Sequence, residues 1–355
     1  MKTRTSKLSP FRFIAIFFFI LSAISFTGCK EGQDILDNIV DDIKDKEEDE
    51  EDKMPMDGKW LFASTNTGGN FSIFEVEDLS DINITTASTG NMDADGIYYD
   101  AEKDIVYQLS RTQSQVNAYT NASELMGEED VTPAFSSTSD FTNGREITVS
   151  GDKLVVAEDV DDMNKLFVYT IGENSITLDR VYEVEFNLWG IQLKEGTLYA
   201  IKDNTDMLAI FEDFLSQPEG WILPSKSVVI DGIVRTHGID YDVMQDIMVL
   251  TDVGDAASDI DGGVHVIPDF SQIIMETADK DTISMDHQLH LEGDKTMLGN
   301  PVDVSIGSDK MLYVAERANG GGRLLIFNYP GEYCNVPPKA DLDYEGASAV
   351  YLYKQ

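Results

Sequence analysis

Gly96-Ile97-Tyr98-Tyr99-Asp100 and Gly238-Ile239-Asp240-Tyr241-Asp242 are almost the same pentapeptide, 142 residues apart in a chain of 355. Gly190-Ile191-Gln192-Leu193 repeats their opening. Each is a glycine followed by β-branched, aromatic and polar residues, bounded by turn-forming residues as a strand is. A second apolar run follows each across a polar turn: Ile105-Val106-Tyr107, Leu198-Tyr199-Ala200 and Ile247-Met248-Val249. Leu154-Val155-Val156 and Met311-Leu312-Tyr313-Val314 are runs of the same kind. Third runs come at Leu166-Phe167-Val168-Tyr169, Val264-His265-Val266-Ile267 and Leu324-Leu325-Ile326-Phe327, each before a variable fourth. The openings at Gly96, Gly144, Gly190 and Gly238 are spaced 48, 46 and 48 residues apart, with the next near Pro301. Four strands every 40 to 50 residues or so is the repeat of an all-β propeller.

The two ends show how the ring closes. Leu61-Phe62-Ala63-Ser64-Thr65-Asn66-Thr67-Gly68-Gly69 aligns with Leu312-Tyr313-Val314-Ala315-Glu316-Arg317-Ala318-Asn319-Gly320, so the first blade begins at its second strand. Its missing inner strand is expected at Ala349-Val350-Tyr351-Leu352-Tyr353, which would tie the C-terminus to the first blade and leave no open edge. The count is six blades; seven is the alternative, if residues 331–345 hold a further partial blade. No helical period of any length shows within 58–355. Met207 to Leu215 comes nearest, and it falls where a third strand is due. This repeat resembles the bacterial extracytoplasmic propellers of the NHL, YVTN and gluconolactonase-like types, a resemblance of fold that carries no activity with it.

Residues 1–28 read as a leader rather than as structure. Lys2, Arg4, Lys7 and Arg12 precede an uncharged run of 15 residues, Phe13 to Thr27, too short for a comfortable membrane span. Phe26-Thr27-Gly28-Cys29 resembles the lipobox of bacterial lipoproteins, with Phe in place of the usual Leu. The resemblance implies that Cys29 is lipidated and anchors the mature chain to a membrane; the alternative is an ordinary secretory signal with an incidental cysteine. Residues 29–57 read as a tether, since Asp41 to Asp52 holds nine acidic residues among twelve and repels itself into an extended form. Lys30-Glu31 resembles in part the export tag of surface lipoproteins of the Bacteroidota. A Gram-negative cell envelope, with the protein on the outer membrane, is the expected location. Whether it faces the periplasm or the cell surface stays open. The propeller would then span 58–355.

A net charge of −39 excludes nucleic acid as a partner, because phosphate binding needs a basic face. With Cys29 acylated, Cys334 has no partner for a disulfide. There is no Gly-x-Ser-x-Gly elbow, no Cys-x-x-Cys and no phosphate loop.

Propeller ligands meet the channel mouth where first strands begin and second strands end. There the repeat places Asp95, Glu146, Asp159, Trp189, His237, Asp252, Asn300, Asp303 and Glu316, a funnel expected to be rich in carboxylates and poor in cations. Such a funnel suits a sugar, a polyol or a divalent cation, although solvated polar channels are common whatever the function. Asn91-Met92-Asp93-Ala94-Asp95-Gly96 with Glu102 has EF-hand spacing but strand flanks, which leaves Asp93 and Asp95 as candidate calcium ligands. Asp255, Asp259 and Asp261 form a second candidate calcium loop. The expected function is non-enzymatic binding of an envelope protein or glycan; the alternative is a metal-dependent hydrolase or lactonase using the channel carboxylates.

Overall fold

A computed structural model describes residues 56, 58–160, 164–255 and 257–354, so the leader, Cys29 and nearly all of the tether lie outside the described residues. Pro55–Gln355 forms one compact unit. It is a six-bladed β-propeller of six sheets, each built on four antiparallel strands. The inner strands are Ala347–Lys354, Ala94–Asp100, Gly144–Ser150, Leu188–Lys194, Thr236–Asp242 and Pro301–Ile306, for blades 1 to 6 in turn. Blade 1 does begin at its second strand, Lys59–Thr65, which pairs with the C-terminal strand from Lys59↔Lys354 to Thr65↔Ala347. Residues 331–345 hold no seventh blade. They supply the outer strand of blade 6, Ala340–Asp343, and a two-residue strand, Tyr333–Cys334, that runs parallel to the outer strand of blade 5.

That parallel addition recurs. Glu128–Asp130 extends blade 1, Gly220–Trp221 blade 3 and Thr282–Ile283 blade 4. Each comes from the connection between third and fourth strands of the following blade, which reaches back and covers the outer edge of its predecessor. Covering an outer edge removes a row of unpaired backbone groups that would otherwise template aggregation. The same kind of connection in blade 5 holds a two-turn helix, Phe270–Glu276, with Phe270 buried. The sequence gives no sign of it, because two turns are too few to establish a period.

Alternation along the inner strands divides core from channel. Ile97, Ile147, Ile191, Ile239, Val304 and Val350 are all buried between blades. Six apolar clusters result, one at each blade junction: Val155, Leu166, Leu198 and Phe211 belong to that between blades 3 and 4, Phe62, Phe71 and Tyr99 to that between blades 1 and 2. The opposite parity faces the channel in two tiers. The first tier is Gly96, Glu146, Gly190, Gly238, Asp303 and Ala349; the second is Tyr98, Thr148, Gln192, Asp240, Ser305 and Tyr351.

Inner strands are sheet edges, and their free backbone groups are met by side chains of the preceding blade. Leu193 N donates to Thr148 Oγ1 at 3.0 Å, Ile306 N to Asp240 Oδ2 at 2.9 Å and Val350 N to Asp303 Oδ2 at 2.7 Å. Ser348 Oγ donates to Ala94 O at 2.9 Å. The polar channel is therefore in large part the stitching of the ring.

The two pentapeptides are alike in their bonds as well. Tyr99 OH donates to Asp104, which also accepts from Ser123 N and Oγ; Tyr241 OH donates to Asp246, which accepts from Ser271 N and Oγ.

Candidate functional site

In every blade the pairing of inner and second strands slips by a residue near the mouth, as between Ala94 and Ile97 in blade 2 and between Thr236 and Ile239 in blade 5. Such bulges re-aim side chains, and here they turn Asp95, Arg145, Trp189 and His237 toward one another. The rings of Trp189 and His237 stack at 3.7 Å and 3°, and the Arg145 guanidinium lies 4.1 Å from the Trp189 ring centroid. Arg145 also pairs with Asp159 at 3.1 Å.

His237 Nε2 lies 3.0 Å from Asp203 Oδ1, which Arg235 Nε approaches at 3.2 Å. Burial alone would raise the Asp203 carboxyl, but the His237 hydrogen bond and the nearby arginine hold it below the usual range. Burial pushes His237 down to about 4, against the pull of Asp203, so the ring is neutral near pH 7. With Nε2–H donating to the carboxylate, Nδ1 keeps its lone pair, and that atom is buried without a partner. Arg145 Nε, Thr236 Oγ1 and Asn300 Oδ1 are likewise buried and unpartnered.

Across the mouth, Arg111 binds Asp93 through two nitrogens at 2.7 and 3.1 Å and reaches Asp95 at 3.4 Å. Burial pushes Asp95 up to about 6, opposed by Arg111, Arg145 and Arg317. Arg317 is pulled below its usual value by burial and by Arg111 and Arg145. Among the described residues its guanidinium makes no ion pair. The expectation of few cations is thus corrected. Of six arginines after the leader, Arg111, Arg145, Arg235 and Arg317 gather at this one mouth. Arg111, Arg145, Arg317 and Asp203 sit at the strand ends that the repeat marks as the mouth, whereas Arg235 lies just before an inner strand and carries no such signal.

Other expected residues fall elsewhere. Asp252 accepts from the backbone N–H groups of Val234, Arg235 and Gly254, and Glu316 from those of Gly299, Asn300, Ala318 and Asn319. Both carboxylates organise loops. Glu146 and Asp303 lie deeper, on the wall of a cavity that opens at the far end of the channel. Burial raises both, Glu146 with help from Asp303 and Asp95.

Neither calcium candidate assembles. Asp93 is held by Arg111, while Asp255 and Asp261 accept from the loop's own amides, Ala257 N and Asp255 N. Asp259 approaches Gly299 with its backbone. Among the described residues no three His, Cys, Asp or Glu side chains are grouped to hold a metal ion.

No family model matches the chain, and no curated protein does. Solved structures do. A chain of a nidogen/laminin complex superposes with a TM-score of 0.56 at 13% identity, covering 83% of this chain and 98% of that one. A putative 6-phosphogluconolactonase from Bacteroides fragilis NCTC 9343 gives 0.56 at 11% identity, with coverage of 83% and 98%. Another from Bacteroides uniformis ATCC 8492 gives 0.50 at 8%, with 86% of each covered. At these identities the likeness is one of fold: this is a propeller of the shape shared by lactonase-like proteins and by a chain of a protein–protein complex.

Proposed function

We propose that this chain is a non-enzymatic binding propeller of the bacterial cell envelope, anchored through lipid on Cys29, which takes a carboxylate of an acidic glycan at the arginine mouth. The observation that carries the reading is Arg317. It is a half-buried guanidinium without an ion-pair partner among the described residues, beside two further arginines, in a chain of net charge −39. A desolvated cation with donors in a planar fork suits a planar carboxylate. The Trp189 ring and the unpartnered Asn300 oxygen add an apolar edge and an acceptor for hydroxyl groups.

Calorimetry with oligogalacturonate tests it. Binding should weaken about tenfold in Arg317→Gln, or ~1.4 kcal/mol, and should fall with added salt. Equal binding of a neutral oligosaccharide at this mouth, or an Arg317→Gln variant that binds like the parent, removes the reading. Incorporation of a palmitate analogue, lost in Cys29→Ser, tests the anchor separately.

Hydrolysis of a lactone is a second reading, favoured by the Asp203–His237 pair with its free Nδ1 and by the fold shared with putative 6-phosphogluconolactonases. Among the described residues no group of metal-ligating side chains supports it. A histidine held near 4 is also a weak base at pH 7, well below the range that makes a general base effective. This is why binding is preferred. Turnover of 6-phosphogluconolactone that disappears in His237→Gln would reverse the preference.

A further inference from the structure

The channel has two compartments. At the first tier the inner strands touch: a Cβ on Gly190 would stand 2.4 Å from His237 O, and one on Gly238 2.5 Å from Asp303 Cα. Only glycine fits such an approach, and the residues at this tier that are not Gly or Ala are Glu146 and Asp303. Beyond them a cavity of about 400 Å³ opens at the face opposite the arginines, with Met244, 94% exposed, at its rim.

We infer that this far cavity is a second ligand site, independent of the arginine mouth, for an uncharged polyhydroxylated ligand of monosaccharide to disaccharide size. The volume lies within the usual range for small-ligand pockets, roughly 300–1,000 Å³. The second tier supplies six polar side chains, one from each blade: Tyr98, Thr148, Gln192, Asp240, Ser305 and Tyr351. Their stitching bonds leave capacity for more. Thr148 accepts from Leu193 N and keeps its hydroxyl proton to donate. Gln192 donates to Ile239 O at 3.4 Å and keeps its carbonyl oxygen. Ser305 donates to Val350 O at 3.3 Å and keeps its lone pairs. Tyr98 and Tyr351, with ring centroids 4.7 Å apart, give the apolar face against which the C–H side of a sugar ring rests.

Charge decides between ligand classes. Lys194 is the one cation among the lining residues, so an anion finds little to bind. Burial raises Glu146, Asp240 and Asp303, which makes the dense negative charge that would hold a cation costly.

Saturation-transfer NMR of the full-length protein with a mixture of glucose, galactose, mannose, xylose, arabinose, fucose and N-acetylglucosamine tests the site. At least one sugar should show transfer. The signal should vanish in Gln192→Phe, which fills the cavity, and persist in Arg317→Gln, which alters the other mouth. Should Gln192→Phe fail to give the parent's circular dichroism, Tyr351→Leu removes the aromatic face instead. The inference is overturned if no sugar in the mixture shows transfer, if the signal survives both cavity variants, or if Arg317→Gln abolishes it. It is overturned as to class if cadaverine or glucuronate, and no neutral sugar, gives a signal that the cavity variants remove.

Discussion

Glu316 is fully buried, and its two oxygens take four backbone N–H groups, from Gly299, Asn300, Ala318 and Asn319, at 2.7 to 3.1 Å. Removing it strands those donors, and an unsatisfied buried donor is expensive where a satisfied one contributes modestly. Glu316→Ala should therefore lower stability by roughly 3 kcal/mol, while Glu316→Gln, which keeps an acceptor, should lose less than half of that. Urea unfolding of both variants checks the order; an alanine variant within about 0.5 kcal/mol of the parent would refute the loop-organising role. The same residue shows where sequence reading stops. A carboxylate at the end of a second strand looks alike whether it meets a side chain of the mouth, as Asp203 meets His237, or a loop amide, as Asp252 and Glu316 do. The distinction is made by the path of a neighbouring loop, and residue type and spacing carry no record of it.

Strands were legible where they carry a period. The inner strands open on glycine and end in alternation, the second strands are short buried apolar runs, and both the closure of the ring and the first-tier glycines could be read from that repeat. The added outer strands could not. Gly220–Trp221, Thr282–Ile283 and Tyr333–Cys334 are two residues each, defined by the edge they join rather than by their own pattern. Contact between inner strands has a direct test. In Gly238→Ala the new Cβ meets the Asp303 backbone, which has no rotamer to yield, so the cost should be about 1–3 kcal/mol of overpacking. Gly331→Ala is the control, since its Cβ would meet only the Cys334 Sγ at 3.8 Å. Thermal unfolding should place Gly238→Ala well below the parent and Gly331→Ala beside it. Equal midpoints for the two would mean that the inner strands are not in contact at this tier.

At the scale of the molecule, a strongly acidic chain closes its ring around carboxyls that are hard to ionise, and each of them pulls its pH dependence in one sense. Asp95 is raised from 3.8 to about 6, and Glu146 and Asp303 are raised with it. A group whose folded pKa exceeds its unfolded value binds more protons in the folded state between the two. Stability therefore falls as pH rises through that window and stays low above it. For Asp95 the window runs from about 4 to about 6, and the loss across it is of order 3 kcal/mol. Asp203, Asp246 and Asp309 are depressed and act in the opposite sense only as pH falls below about 4, but His237 and His290, lowered from 6.5 to about 4, and His265, lowered as well, take up protons in the unfolded chain across the same window and so add stability as pH rises through it. General repulsion among 65 acidic residues also grows with pH, which is why the parent alone cannot isolate the effect. Asp95→Asn removes one titrating group and leaves the rest of that repulsion nearly unchanged. The melting midpoint of Asp95→Asn should rise relative to that of the parent between pH 4.5 and 6.5, the difference between the two slopes being the contribution of this carboxyl. Parallel slopes would mean that Asp95 ionises in the folded state as easily as in the unfolded chain. The three arginines beside it would then be fully neutralised by carboxylates, and the mouth would have no affinity left over for an anion.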